Sequence, residues 1–248
     1  SVHAEVVEWI ARQQPRAIVF DIIFSDPDPL RPDDDAYLAE VAAAHDNLFF
    51  PFVKLHTEQP GIGLPLAEYG EALGFARTAE AQRDARAALL LPYMALAIDC
   101  RLGAINFQEQ SDGVGRHYPL YLEADGWRLP SLPAKVAAAL GSPLPQQGAI
   151  RLNWQGPANS YPRVSYADIY EDLLRREPQR PAHEFRDKIV IIGSTATAQH
   201  DLRTTPLGSL QPALEIVATA LDNLRHGKPL SDAPGWLPPL ITLLLIAA

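Results

Sequence analysis

Two stretches of the chain are apolar without interruption and rich in β-branched residues, "AIVF" within "RAIVFDIIF" and "IVII" within "KIVIIG", which ends at Gly193. Successive residues of a strand point to opposite faces, so a strand with no polar position has no face to offer to water. Such strands belong in a sheet covered by helices on both sides, usually with parallel pairing. The sequence around them supplies the cover. "VHAEVVEWIARQQ" sets Val2, Val6, Trp9 and Ile10 at near-helical spacing and is broken by Pro15. "DDDAYLAEVAAAHDN" gathers Tyr37, Leu38, Val41 and Ala42 on one face and opens on Asp33, Asp34 and Asp35, where carboxylates meet the positive end of the helix dipole. "LFFPFVKL" then reads as a second strand, which completes a βαβ unit.

The rest extends this pattern. "RHYPLYLEADGWRLPSL" predicts a hairpin turning at Asp125-Gly126. "SLPAKVAAALG" predicts a short helix capped by Ser131 and stopped at Gly141, and "SYADIYEDLLRR" has a capping-box start in Ser165 and Asp168. "PALEIVATALDNLRHG" places Leu214, Val217, Leu221 and Leu224 on one face and ends at Gly227. The expectation is one α/β domain, with a mixed, mostly parallel central sheet flanked by helices and a β-hairpin extension. Both apolar strands should lie centrally. The domain spans residues 1–235, and "WLPPLITLLLIAA" at 236–248 is uncharged but shorter than the roughly 20 residues a span needs, so it reads as the start of a truncated transmembrane helix.

Composition removes several function classes. The 248 residues carry 21 Lys and Arg against 30 Asp and Glu, a formal charge of −9, and no basic run that would follow a phosphate backbone. Nucleic acid is not expected as a partner. A single cysteine, Cys100, permits neither an intrachain disulfide nor a cysteine-based zinc site.

The chemistry tests are equally restrictive. Ser194, His200 and Asp201 suggest a hydrolase, but a nucleophile elbow needs G-x-S-x-G, and here the serine follows Gly193 directly and Ala196 stands where the closing glycine belongs. The hydroxyls of Ser194 and Thr195 suit loop backbone groups instead. The seven histidines show no metal-binding spacing, and "DPDPLRPDDD" lacks the glycine of a calcium loop, so its carboxylates read as helix caps, with a lone ion across Asp26 and Asp28 left open. There is no P-loop and no G-x-G-x-x-G. Catalytic residues, a resident metal and cofactors are not expected. Position is the remaining guide, because ligands of open α/β sheets gather beyond the C-terminal ends of the strands. If the two apolar strands are neighbours, Asp21 and Asp26 meet Ser194, Thr195, Asp201 and Arg203, either around a ligand or simply as two salt-linked loops.

Taken in order, "PRAIVFDIIFSDP", "GAINFQEQSDGVGRHYPL", "IRLNWQGP" with "VSYADIY", and "KIVIIGSTATAQHDLRTTPLG" leading into "LEIVATALDNLRHGKPL" resemble the CHASE type 2 domain over nearly the whole chain. The resemblance implies a non-catalytic sensory module on the extracytoplasmic, periplasmic side of the bacterial inner membrane. Flanking transmembrane helices would join it to an adenylate cyclase, a diguanylate cyclase or a histidine kinase of a two-component system. It carries Asp21 onto the family's aspartate after the first strand, and Asp112, Gly113 and Arg116 onto its D-G-x-x-R turn. Gly193, Asp201, Thr205 and Pro206 fall on its G-x-T-A…D…T-P loop, and Glu215, Asp222 and Asn223 on its closing helix, which adds Glu215 to the ligand candidates. Ala213 and Val217 replace a glycine and a histidine of the family pattern, and Gln155 an arginine. The expected partners are an unidentified small molecule or ion, the membrane, and a second copy in a homodimer. Two alternatives stand beside this reading: a dimerisation or partner-binding module without a ligand, and an α/β hydrolase using Ser194.

Overall fold

The computed structural model describes residues 1–56, 62–156, 160–194, 202–232 and 234–247. Its centre is a five-stranded sheet in which Ile189–Ile192, Ala17–Phe20, Leu48–Lys54 and Leu102–Ala104 run parallel, while Leu89–Leu90 pairs antiparallel with the far end of Leu48–Lys54. The α/β expectation holds, with a mostly parallel sheet and helices on both faces.

Ala17–Phe20 is buried along its whole length, as its unbroken apolar run requires. Ile18 and Phe20 enter one core with Leu48, Phe50 and the helices Val2–Ala11 and Pro32–Ala44. Ala17 and Val19 enter the other, beneath the helices Leu132–Ala139 and Ala213–His226. Phe20 and Phe50 stack with ring centroids 5.2 Å apart. Burying each such side chain is worth about 1.5–3 kcal/mol, so the two faces of this one strand tie both helical layers to the sheet.

Ile189–Ile192 departs from the expectation. Among the described residues it has Ala17–Phe20 as its one strand neighbour and lies at the edge of the sheet, with Ile189, Val190 and Ile191 only half-buried. The physical reason is that an apolar run reports covered faces and is silent about neighbours in the hydrogen-bonding direction. Ile189 and Ile191 pack towards one core and Val190 towards the other, so both faces are apolar at an edge.

The hairpin forms as expected. Trp127–Pro130 pairs with Tyr121–Ala124, and Asp125 (φ 45°) and Gly126 (φ 81°) make the positive-φ turn that Asp-Gly favours. Ser165 also caps its helix, its Oγ accepting from the Asp168 N–H at 3.3 Å. Ser131 does not: it stands at the N-cap of Leu132–Ala139 without a side-chain bond, and its Oγ is buried with no partner among the described residues. Pro133 occupies the second helical position and has removed an N–H that a cap would take.

The closing helix, Ala213–His226, begins after the hairpin Leu202–Thr205 and Gly208–Pro212 and stops at Gly227 (φ 62°). Ile216, Val217, Ala220, Leu221 and Leu224 face the core. A last helix, Leu237–Ala247, exposes its apolar side chains, Leu245 at 74% and Ile246 at 81%. No helix among the described residues is long and apolar enough to cross a membrane.

Candidate functional site

The first site element follows from strand register. Ala17 lies opposite Ile189 and Phe20 opposite Ile192, so both strands stop together, and the Asp21 N–H donates to the Ile192 carbonyl at 2.7 Å. Asp21 is thereby set beside Gly193. A methyl group on Gly193 would lie 3.1 Å from Asp21 Cβ and 2.8 Å from Leu214 Cδ1. The first turn of the closing helix therefore rests directly on the strand ends. Tyr118 is buried nearby, 1% exposed, and its hydroxyl has no hydrogen-bond partner among the described residues. Burial, helped by the Asp21 carboxylate, pushes its phenol well above the ordinary tyrosine range, so it stays a neutral donor.

The D-G-x-x-R turn is a docking piece. Asp112 accepts from the Val114 N–H at 3.1 Å and pairs with Arg116 at 2.8 Å, which holds the Asp112 carboxyl below its usual range. Gly113 sits at φ 75°, where a side chain would be strained. The turn then meets the hairpin that precedes the closing helix. The Gly115 N–H donates to the Thr204 carbonyl at 2.8 Å, and the Thr204 N–H donates to Glu109 Oε1 at 3.3 Å. Thr205, 4% exposed, closes that hairpin by donating to the Gly208 carbonyl and accepting from the Leu207 N–H, with Pro206 in the turn.

The third element is a polar seam along the closing helix. Glu215, Thr219 and Asn223 recur every fourth residue and are 6%, 2% and 0% exposed. Each meets a residue of the 153–163 segment. Arg163 Nη2 donates to Glu215 Oε1 at 2.5 Å, and the Tyr161 hydroxyl to Thr219 Oγ1 at 3.4 Å. The Asn153 N–H donates to Asn223 Oδ1 at 2.7 Å, while Asn223 Nδ2 donates back to the Asn153 carbonyl at 2.9 Å. The order of the contacts is antiparallel to the helix, with Asn153 at its end and Arg163 at its start, along a flank beside the apolar face that grips the core. Glu215 also lies in the first helical turn, where its charge complements the dipole.

The candidates thus separate. Asp21, Gly193 and the start of the closing helix are brought together, with Ser194 exposed at the next position. Glu215 is turned to Arg163 and belongs to the seam. Arg203 is exposed on the hairpin strand. Asp26 stays in the acidic loop, accepting from Ser25 at 2.8 Å. In that loop Asp28 accepts from the Leu30 N–H and pairs with Arg31, which lowers its pKa. No group of three or more potential metal ligands occurs among the described residues. Thr195, His200 and Asp201 lie outside the described residues, so the hydrolase set around Ser194 lies partly outside them too. Asp222 faces away from the seam, 3.0 Å from His226 Nδ1. Sequence reasoning overlooked Asn153, Tyr161, Arg163 and Thr219. The signal for the last was present, a polar stripe at four-residue spacing in an otherwise amphipathic helix.

Fold and site together define an α/β domain whose turns serve one helix, pressing its start onto the strand ends and clasping its flank, with no catalytic constellation among the described residues. The family model of the CHASE2 domain matches residues 1–248, and the chain belongs to that family. Members are extracellular sensory domains of signalling receptors, a class without catalytic activity of its own. The searches of curated proteins and of solved structures returned no match.

Proposed function

We propose that this chain is the signal-receiving domain of a bacterial inner-membrane receptor, held on the periplasmic side, which passes its state through the closing helix to a cytoplasmic cyclase, diguanylate cyclase or kinase. The observation that carries this reading is the polar seam. A helix held by apolar packing on one face and by directional polar contacts along its flank is held in two ways, and a stimulus that alters the polar contacts can favour a second arrangement while the apolar face stays packed. Gly227 releases the helix, and the chain reaches the apolar helix Leu237–Ala247 shortly after. Any stimulus that prefers one arrangement of the closing helix then shifts the balance by its differential affinity.

The test is genetic and biochemical. In the full-length receptor, Arg163→Ala and Asn223→Ala should each change basal output of the cytoplasmic domain several-fold at unchanged protein level. Output identical to wild type in both variants, although the isolated domain shows the seam weakened, would remove the closing helix as the transmitting element.

A further inference from the structure

A groove of about 260 Å³ runs along the open edge of the sheet, between Ile189–Ile192 and the outer side of the closing helix. Its apolar floor is made by Ile189, Ile191, Ala218 and Leu221. Arg16 and Arg225 both line it, one from the segment entering the first strand and one from the last helical turn, and neither forms an ion pair among the described residues. Two carboxylates line it as well. They are Asp222, 3.0 Å from His226 Nδ1, and Asp187. The formal charges of the lining balance, and what distinguishes the groove is a pair of arginines without ion-pair partners among the described residues, set over an apolar floor.

We propose that this groove binds a small organic carboxylate, with its apolar body on Ile189, Ile191, Ala218 and Leu221 and its charged end on Arg225 and Arg16. Guanidinium forks match carboxylates in shape and charge, and they are strongest where apolar walls exclude water. The volume is that of about nine liquid waters, which suits a ligand of roughly ten non-hydrogen atoms, such as a short branched or aryl-substituted acid. Tyr161 of the seam also lines the groove, so an occupant touches the sheet edge, the closing helix and the segment that clasps it. The consequence for signalling rests on the sensory reading, but the binding itself does not.

The test uses calorimetric titration of this chain with phenylacetate and 4-methylpentanoate, and with neutral phenylacetamide as the uncharged isostere. At least one acid should bind saturably at one site, and the amide about tenfold or more weakly. Arg225→Gln and Arg16→Gln should each weaken acid binding severalfold. Ala218→Leu, which fills the floor, should abolish it while circular dichroism shows an unchanged melt. The proposal is overturned if neither acid saturates below about 10 mM, if the amide binds as well as the acids, or if Arg225→Gln and Ala218→Leu both leave affinity unchanged. It is likewise overturned if the groove variants alter self-association in sedimentation without altering acid binding, since the groove would then be a contact between copies. Acid binding with receptor output unmoved would leave the site standing and count against the sensory reading, whereas seam variants that move output without any acid binding would do the reverse.

Discussion

Asn153 and Asn223 close a two-bond ring, the backbone N–H of one donating to the side chain of the other at 2.7 Å and the same side-chain amide donating back at 2.9 Å. Asn223 is 0% exposed, so no water is at hand to replace it. Asn223→Ala leaves the Asn153 N–H and carbonyl without these bonds, and the cost of each unsatisfied group is about 1–3 kcal/mol. Urea unfolding of the variant should show a loss of about 2–4 kcal/mol. A loss under roughly 0.5 kcal/mol, the level of ordinary surface substitutions, would mean that the pair is not formed.

Arg163 and Glu215 form a pair of unequal exposure, 36% and 8% for the two side chains. Solvent at the arginine end screens the attraction, so the pair falls between an exposed ion pair and a buried one. A double-mutant cycle with Arg163→Met and Glu215→Gln should give a coupling of about 1–2 kcal/mol. Strict additivity of the two changes would count against the contact.

Gly193→Ala should destabilise by about 1–2 kcal/mol, because its new methyl meets Leu214 Cδ1 at 2.8 Å and Asp21 Cβ at 3.1 Å. Leu214→Ala vacates the tighter of these contacts. In that background the same glycine substitution should cost clearly less, and an undiminished cost would assign the strain elsewhere.

His3 titrates inside an aromatic nest. Its Nδ1 lies 2.8 Å from the Tyr166 hydroxyl, and the ring packs edgewise on Phe24 at 5.1 Å. Burial first, and the N-terminal ammonium second, hold its pKa below the ordinary value. The unfolded chain then binds the extra proton more readily, so stability is fully present above about pH 6.5 and falls as pH drops from there towards the folded pKa. His3→Phe should flatten that slope in urea denaturation between about pH 7 and pH 5. An equal slope in the variant would identify another group. The depressed carboxylates Asp28, Asp112, Asp172 and Asp232 act in a separate window, because their stabilisation is lost only as pH falls below the ordinary carboxylate range.

Deleting residues 237–248 should leave the melting temperature within about 2 °C of the intact chain, since Leu243, Leu244, Leu245 and Ile246 are 60–81% exposed and contribute little to the core. The same deletion should abolish flotation with lipid vesicles. A large drop in stability would place that helix against the domain.

The layers of the fold were legible because burial on two faces leaves a plain mark, as in "AIVF", where alternate residues feed two cores. The edge position of Ile189–Ile192 was not, because backbone pairing leaves no trace in side-chain polarity. The meeting of Asp21 and Gly193 depended on those strands being neighbours, a long-range fact that local spacing only allows. The seam was half legible. Glu215, Thr219 and Asn223 show their common face in sequence, but Asn153, Tyr161 and Arg163 lie in an irregular stretch with no period to betray them.

The spacing of that seam has a mechanical reading. Positions 215, 219 and 223 repeat once per helical turn, so polar stops lie along the helix axis about 6 Å apart. Each stop has its own partner, Arg163 for Glu215, Tyr161 for Thr219 and Asn153 for Asn223. The seam therefore fixes one register of the helix along its axis, since a shift by one step parts Arg163 from the Glu215 carboxylate.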